Sequence, residues 1–403
     1  MVSEIFEGGP FERGSSLGSA AREAVRSNVN EFWKLADSQG LGRNLVLSKY
    51  RCDIQEIDAR EYLKGLAHSS EVPLSDLMAF NVLRPLLSPD ECTVLIAMKD
   101  STSTGMTTML KNSDKVGSEK LVGNNFYRNK EINIVVVEKP DNGNKFVAVA
   151  AAGEISIKMG INDKGVATGS NISRTIELRE KKVDIGQVRA LDRGWLMREG
   201  IIRGSTAEDA SKFVTSELMK SPMSTPGNIE FVDAGAAMLI EGSYDRMAVQ
   251  KVTSGVAARS NRFVLLHDLN DPEDVSSYVR LTRANQLLRQ NKGKINPDKM
   301  IEFSQDHENG PGLNSICRHD ADFKSETSLA AAVMEINTST PAKSKFYVTL
   351  GKPCNSWPSA KAHTVIGLDD APGSVPAGFV NGTTWKEFYT EMPKPSALVT
   401  TRA

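Results

Sequence analysis

The pattern of apolar residues changes near residue 90, and this change most constrains the fold. Before it, apolar residues recur at helical spacing, as in 20–36, and Pro73 opens a further helix candidate. After it, short apolar runs such as Ile132 to Val137 and Phe146 to Ala152 are separated by turn residues. Helices interrupt these strands in pairs, and no Gly-rich phosphate loop follows a strand. The pattern predicts an α+β fold in which helices cover two stacked antiparallel sheets.

Composition and charge exclude several classes of function. The chain has 403 residues, enough for one large domain or two fused units. Its 49 basic and 50 acidic residues leave a formal charge of −1, so neither nucleic acid nor an anionic membrane is an expected partner. No apolar stretch approaches the roughly 20 residues of a spanning helix, and neither end resembles a secretory or peroxisomal signal. We therefore predict a cytoplasmic protein.

The cysteines and histidines are scattered rather than grouped. No Cys-x-x-Cys pair occurs, and four cysteines in so long a chain do not indicate a disulfide framework. The spacing typical of zinc ligands is absent, so we predict no metal site and interpret Asp306-His307-Glu308-Asn309 as a polar loop. The residues concerned are Cys52, Cys92, Cys317 and Cys354, with His68, His267, His307, His319 and His363.

Cys92 stands where the helical pattern gives way to the strand pattern. It could be a small apolar filler in a buried strand, or a nucleophile at the head of that strand. No histidine lies within about twenty residues of it in sequence to act as its base. Cleavage between Glu91 and Cys92 would supply a base, because the new α-amine titrates near ~8 and the thiol near ~8.5.

A string of motifs in chain order resembles the N-terminal-nucleophile (Ntn) hydrolases. Within them the chain is most similar to the acyl-coenzyme A:6-aminopenicillanic acid acyltransferase family, peptidase family C45, which is related to penicillin V acylase and choloylglycine hydrolase. No single motif is specific, but nine in the expected order make coincidence improbable. They are Gly8 to Gly14, Pro73 to Asn81, Glu91-Cys92-Thr93, Asn112-Ser113-Asp114, Gly160 to Asn171, Arg259 to Phe263, Ser277 to Arg283, Ser315 to His319 and Gly351 to Cys354.

The resemblance implies a four-layer αββα sandwich and a self-processing enzyme. A helical segment, 1–91, would become the small chain after cleavage, and 92–403 would form the catalytic large chain. The two chains would stay associated. The enzyme would cleave or transfer the acyl group of a small amide or an acyl-coenzyme A thioester, without a cofactor. A homo-oligomer is compatible with this interpretation.

The resemblance also assigns roles to the nucleophile and its carboxylate partner. Cys92 would attack the substrate and, through its new α-amine, act as the base. Asp114 would accept a hydrogen bond from the α-ammonium group and hold it in place. Without the resemblance, Asp114 would be interpreted as a turn residue after a strand.

The remaining predicted site residues are two asparagines and an arginine. Asn171 and Asn261 would direct side-chain N–H groups at the oxyanion or at the substrate carbonyl. Either asparagine could instead be an ordinary turn residue, and Asn261 could begin a strand. Arg280 would favour the thiolate, although it could also lie on a solvated helix face, and Arg283 competes for the same role.

The chain departs from the family pattern beside the nucleophile. Glu91 stands where the best-known relative has glycine, and Arg262 stands where the family has histidine after the second asparagine. Because of these changes, the sequence does not identify the substrate. It also does not decide between hydrolysis and acyl transfer. Two rival interpretations remain: an Ntn scaffold used for binding or assembly that does not cleave itself, and an unrelated metabolic enzyme in which Cys92 is structural.

Overall fold

The computed structural model describes most of the chain. The described residues are 5–49, 54, 56–87, 91–116, 118–120, 126–128, 130–180, 192–319, 326–369 and 375–390. The N-terminal part of a helix predicted over 183–200 lies outside these residues, as does Cys52. Within them, no helix is long and apolar enough to cross a membrane.

Two large sheets organise the described residues. The first has eight strands in the order β1-β6-β7-β8-β9-β10-β11-β12, and the second has six in the order β13-β2-β3-β14-β15-β16. All neighbouring pairs are antiparallel except β1 and β6, and β4 and β5 form a small separate sheet. The strands are β1 (Phe6–Gly8), β2 (Glu91–Ala97), β3 (Thr107–Val116), β4 (Ser118–Lys120), β5 (Phe126–Arg128), β6 (Asn133–Pro140), β7 (Phe146–Ala151), β8 (Met159–Asn162), β9 (Ala167–Ile172), β10 (Gly227–Val232), β11 (Ala237–Gly242), β12 (Met247–Val252), β13 (Val256–Arg259), β14 (Glu326–Ile336), β15 (Lys345–Leu350) and β16 (His363–Gly367).

Helices cover the outer faces of both sheets. The helices are α1 (Pro10–Ala20), α2 (Arg22–Ser38), α3 (Arg43–Lys49), α4 (Ile57–Ser70), α5 (Leu74–Leu87), α6 (Ile176–Glu180), α7 (Arg193–Arg203), α8 (Ala207–Lys220), α9 (Val275–Gln290), α10 (Pro297–Ser304), α11 (Pro353–Ser356), α12 (Ala377–Asn381) and α13 (Thr383–Thr390). Helices α9, α10 and α11 pack on the six-stranded sheet, while α7 and α8 pack on the eight-stranded sheet. The sheets contact each other through β2 and β9 and through β8 and β14. This confirms the predicted αββα sandwich.

Strand alternation separates two apolar cores. Val94 and Ile96 face the core between the sheets, whereas Leu95 and Ala97 face a second core under α9 and α10. Successive side chains on a strand point to opposite faces, so each residue of β2 belongs to one layer or the other. Cys92 shares the inter-sheet face of β2 with Val94.

The helices before residue 91 pack into the same core as the strands that follow. Strand β1 adds to the edge of the eight-stranded sheet in parallel with β6. Helices α1 and α4 approach closely because glycines meet backbone: a Cβ added at Gly14 would lie 2.0 Å from the Tyr62 carbonyl oxygen, and one at Gly65 would lie 2.0 Å from that of Phe11. Side chains of α1, α2, α4 and α5 complete the apolar core. Residues 5–87 are therefore not an independent unit.

Three local sequence predictions differ from the structure. The helix expected over 20–36 straddles the junction between α1 and α2 at Ala21. The sequence Ser205-Thr206-Ala207-Glu208 predicts a capping box at Ser205, but the cap is Thr206, whose side chain accepts a hydrogen bond from the Asp209 N–H. The β-rich run Arg262 to Leu266 predicts a strand, but three backbone N–H groups in 264–266 donate to the buried Glu241 carboxylate instead. Because the carboxylate accepts these hydrogen bonds, the N–H groups need no partner on a neighbouring strand.

Candidate active site

Cys92 lies at the start of β2 and is almost completely buried. Only 1% of the residue is exposed, and its side chain faces the layer between the two sheets. Its backbone N–H donates a hydrogen bond to Asn261 Oδ1 over 3.3 Å. The peptide nitrogen of the predicted nucleophile is thus held by a second predicted site residue, 169 positions away in sequence.

Arg280 joins Cys92 to Asn261. Its Nη1 donates to the Cys92 carbonyl oxygen (3.1 Å) and to Thr93 Oγ1 (2.8 Å), and its Nη2 donates to Asn261 Oδ1 (2.7 Å). Asn261 Nδ2 donates in turn to the carbonyl oxygen of Ile172 at the end of β9. Burial and the neighbouring Arg318 lower the pKa of Arg280 to about 10, which leaves it cationic at neutral pH. The guanidinium therefore contacts the backbone of Cys92 and the side chain of Thr93, which lies on the other face of β2 from the thiol.

Arg283 does not share this position. Its guanidinium forms an ion pair with Asp306, with Nη2 and Oδ2 2.7 Å apart. Of the two arginines that the sequence offers on α9, the structure therefore brings Arg280 to Cys92. The solvated helix face considered for Arg280 is wrong, because the residue is completely buried.

Glu91 is held by a cluster of arginines. Arg174 Nε donates to Glu91 Oε1 over 2.6 Å, Arg318 forms a second close ion pair, and Arg280 Nη2 lies 3.9 Å from Oε2. Burial alone would raise the pKa of Glu91, but Arg318, Arg174 and Arg280 together hold it well below its usual range. The residue preceding Cys92 is therefore a fixed, ionised anchor.

Asp114 pairs across the sheet with Glu91 rather than with Cys92. It lies opposite Glu91 in the β2–β3 register, so its side chain faces the helix layer. Its Oδ1 accepts a hydrogen bond from Ser328 Oγ (2.6 Å), and its Oδ2 lies 3.9 Å from Arg318 Nη1. Burial raises the pKa of Asp114 to about 6, although Arg318 opposes the shift. This carboxylate and the Cys92 thiol lie on opposite faces of the strand pair.

Asn171 contributes a buried amide that makes no hydrogen bonds among the described residues. Both polar atoms of its side chain lack a partner there. A Cβ added at Gly169, two residues earlier on β9, would lie 3.1 Å from the Lys111 side chain and 3.6 Å from Val94. Since alternate residues share a face, Asn171 points toward the six-stranded sheet, the layer into which Cys92 points.

Comparison with known families decides which group of proteins the chain resembles. A sequence model of the acyl-coenzyme A:6-aminopenicillanic acid acyl-transferase family matches residues 101–354, more than half of the chain. The chain belongs to this family. Membership makes it an Ntn-type acylase or acyltransferase and confirms the resemblance noted in the sequence. The matched span includes Asp114, Asn171, Asn261 and Arg280 but begins after Cys92.

Solved structures of Ntn hydrolases are also similar. Penicillin V acylase from Agrobacterium tumefaciens is 13% identical over 68% of this chain and 84% of its own, with a TM-score of 0.38. A variant of conjugated bile acid hydrolase from Clostridium perfringens is 13% identical over 69% and 94%, with a TM-score of 0.41. The Caenorhabditis elegans ortholog of N-acylethanolamine-hydrolyzing acid amidase is 13% identical over 60% and 92%, with a TM-score of 0.38. No curated protein sequence matches the chain.

Several charged residues around the family motifs were not predicted from the sequence. Arg174 and Arg318 hold Glu91, and nothing in the sequence near Arg174 indicates this. Arg318, in contrast, lies inside the recognised motif Ser315 to His319. Between the sheets, the Glu230 carboxylate is fully buried, and burial raises its pKa to about 8 against the opposing charge of Lys111.

Two cavities lie among the described residues, one beside Lys111 and one on the outer side of the eight-stranded sheet. One of about 20 Å³ is lined by Lys111, Ser170 and Arg193. The other, of about 380 Å³, opens near Arg13 and Trp195 on the outer side of the eight-stranded sheet. Cys92 lines neither of them.

Proposed function

We propose that the protein is a self-processing cysteine acylase of the Ntn type, with Cys92 as its nucleophile. The observation that carries the proposal is the bonding of Arg280 and Asn261 to the Cys92 backbone. A structural cysteine in a strand needs no buried cation at its carbonyl and no amide side chain at its nitrogen. Burying a guanidinium is costly unless its donors are satisfied, so this arrangement indicates chemistry at Cys92.

The first step would be an N-to-S acyl shift. The Cys92 sulfur attacks the carbonyl carbon of Glu91, the bond from that carbon to the Cys92 nitrogen breaks, and the nitrogen leaves as an amine. The resulting thioester is hydrolysed by water to a free Glu91 carboxylate and a free thiol. The arginines around Glu91 would fix the scissile carbonyl for attack, and fixed geometry lowers the barrier of such a step.

Cleavage would leave a small chain, 1–91, bound to a large chain, 92–403. Strand β1 and helices α1, α2, α4 and α5 contribute apolar side chains to the core between and beside the sheets. Separating these faces would expose that apolar surface to water, at about 25 cal/mol for each Å². We therefore expect the two chains to stay together.

Processing would also bring the α-amine of Cys92 to Asp114. While the chain is intact, Glu91 lies across from Asp114 in the register. Its departure frees the strand end, where the new α-ammonium and the Asp114 carboxylate have opposite charges. In its neutral form, this amine accepts the proton of the Cys92 thiol and returns it to the leaving amine of the substrate.

In turnover, the Cys92 thiolate would attack a small amide or thioester and form an acyl-enzyme. The amide N–H groups of Asn171 make no hydrogen bond among the described residues and could donate to the oxyanion. Asn261 accepts a hydrogen bond from the Cys92 N–H through its Oδ1. Water or an amine then takes the acyl group. Penicillin V acylase and conjugated bile acid hydrolase are named for amide substrates, so we propose N-acyl compounds of this kind, with acyl-coenzyme A as the donor in transfer.

A mass-spectrometric experiment tests the acyl-enzyme. The processed protein is mixed with a panel of N-acyl amino acids, penicillins, bile-salt conjugates and acyl-coenzyme A thioesters, then quenched in acid. We expect at least one compound to add the mass of its acyl group to the peptide that begins at Cys92. Turnover of a substrate without any adduct on that peptide in rapid-quench samples would refute the covalent mechanism.

Asn171→Ala should reduce turnover without reducing stability. Loss of one oxyanion donor lowers kcat by about 10²–10³-fold. The free energy of unfolding should stay the same or rise, because the native asparagine is buried without hydrogen bonds. Asn133→Ala is the matched control: Asn133 is also buried and unbonded, but it lies on β6, three strands from β9. Equal turnover of the two variants would remove Asn171 from the site.

Glu91→Gln should slow self-cleavage. The substitution keeps the shape of the side chain but removes the charge that the arginines hold, so the scissile peptide loses its anchor. We expect at least about tenfold slower loss of the precursor band, which corresponds to ~1.4 kcal/mol of barrier. Glu208→Gln, at an exposed ion pair with Lys251, should process normally. Unchanged kinetics in Glu91→Gln would show that the arginine cluster serves stability rather than processing.

A further inference from the structure

Folding brings two histidines and two cysteines from distant parts of the sequence into one cluster. Their ligand atoms all lie within 4.8 Å of one another, and the residues are His307, Cys317, His319 and Cys354. Spacing along the chain predicts no metal site, because none of these residues are neighbours at the intervals typical of zinc ligands. The cluster combines residues after α10, before β14 and in α11, which spacing along the chain does not reveal.

We propose that these four side chains form a structural zinc site. Zn²⁺ prefers tetrahedral sites of cysteine sulfur and histidine nitrogen, and two of each is a common closed set. With Zn–N near ~2.0 Å and Zn–S near ~2.3 Å, a tetrahedron places its ligand atoms roughly 3.3–3.8 Å apart.

Of the six distances between ligand atoms, three lie near that range and none exceeds 4.8 Å. The Nε2 atoms of His307 and His319 are 3.0 Å apart, and the Sγ atoms of Cys354 and Cys317 lie 3.3 and 3.8 Å from His319 Nε2. Both cysteines are free thiols in the structure. A small inward or outward adjustment of each side chain would therefore complete the site.

The segments that carry the ligands are fixed independently of a metal. The Cys317 N–H donates to the Asp306 carbonyl oxygen over 3.2 Å, and Asp306 is paired with Arg283 on α9. Asn112 on β3 donates to the carbonyl oxygens of Ser304 and Ile316, which flank the first two ligands. Preorganisation of this kind reduces the entropic cost of binding an ion.

The fourth ligand is held in the same way. Gly351, three residues before Cys354, donates its N–H to the Leu329 carbonyl oxygen over 2.7 Å. Trp357, three residues after it, donates its indole N–H to Ser304 Oγ over 3.0 Å. Zinc bound here would join the chain after α10 to α11 and to β14. With four protein ligands there is no open position for a reacting water, so the role is structural.

The site lies one residue from the arginine that anchors Glu91. Arg318 stands between Cys317 and His319, and its guanidinium reaches Glu91. A bound ion would fix both neighbours of Arg318 and thereby its position. This consequence rests on the proposed self-cleavage, whereas the zinc site itself does not.

The test measures metal in the purified full-length protein. Protein from cells grown with Zn²⁺ should contain about one Zn²⁺ per chain by plasma mass spectrometry, and Co²⁺ exchange should give the visible absorption of a tetrahedral thiolate site. Cys354→Ser and His307→Ala should each lower Zn²⁺ affinity at least ~100-fold in a chelator competition. Two ligand variants are used so that the affinity of one can still be measured if the other fails to fold.

Two control variants separate the possible outcomes. Cys92→Ala should retain full metal content even though it cannot process itself, so a failure of the zinc site and a failure of self-cleavage are distinguishable. His363→Ala should also bind normally, because His363 lies on β16 outside the cluster. Protein that takes up no Zn²⁺ or Co²⁺ would overturn the proposal, as would a Cys317–Cys354 disulfide in protein purified without an oxidant.

Discussion

Cys92→Ala is expected to remain a single chain of 43.9 kDa and to show no acyl transfer or hydrolysis. The thiol is the nucleophile in both proposed steps, and the methyl group of alanine cannot replace it. The substitution removes one sulfur from a residue that is 1% exposed, so the fold should survive with a cost of about 1 kcal/mol or less.

Denaturing gels after long incubation, turnover assays and a melting curve check this result. Cys92→Ser is the informative companion, because its alkoxide forms less readily; it should process slowly and lose most turnover. Cys52→Ala controls for the loss of a thiol elsewhere and should behave as wild type. A folded Cys92→Ala protein that still cleaves itself or turns over amides would exclude Cys92 as the nucleophile.

Of the substitutions considered, Glu138→Gln should lower the free energy of unfolding the most. Glu138 on β6 is completely buried and accepts hydrogen bonds from Arg13 (2.6 Å), Arg198 (2.5 Å) and the Tyr62 hydroxyl (3.0 Å). The Arg198 guanidinium also lies over the Tyr62 ring, 4.3 Å from its centroid. Removing the charge of the carboxylate that both arginines contact leaves two buried cations without that partner, which costs about 3–5 kcal/mol. That is a large part of the ~5–15 kcal/mol that stabilises a typical domain.

The measurement is urea denaturation in the Cys92→Ala background, where the chain stays in one piece. Glu7→Gln is the matched control: Glu7 on β1 pairs with Lys139, the neighbour of Glu138 on β6, but both side chains are more than half exposed. An exposed pair of this kind contributes at most about 1 kcal/mol. Equal shifts of the two midpoints would show that the buried network does not stabilise the fold.

The same network bears on the association of the two proposed chains. Arg13 and Tyr62 belong to the segment before the cleavage site, and Glu138 and Arg198 belong to the segment after it. In processed protein, Glu138→Gln should therefore release the small chain at a lower urea concentration than wild type does.

The sequence predicted the layers of the fold because they depend on repeating patterns. The runs Ile132 to Val137 and Phe146 to Ala152 identify the paired strands β6 and β7 without tertiary information. The loop at 262–266 was misassigned because a distant carboxylate, Glu241, satisfies its backbone. No local pattern encodes a partner that lies on another strand.

The residues of the candidate site likewise fall into two groups, those that sequence motifs identify and those that only tertiary contacts bring together. Cys92, Asn261 and Arg280 could be found through motifs, and the structure brings these three together. The arginines around Glu91 and the cluster of His307, Cys317, His319 and Cys354 could not, because their members are brought together only when strands and loops pack. Asp114 was recognised through its motif, but it lies within β3 rather than in a turn after a strand, and its face depends on the β2–β3 register, which the sequence alone does not determine.

The mass of the purified wild-type protein under denaturing conditions tests the central claim most directly. Cleavage before Cys92 predicts two species of about 10 and about 34 kDa, in proportion to residues 1–91 and 92–403. Sequencing of the larger species should begin Cys-Thr-Val-Leu. A single intact 43.9 kDa chain that nonetheless turns over amides would contradict the account.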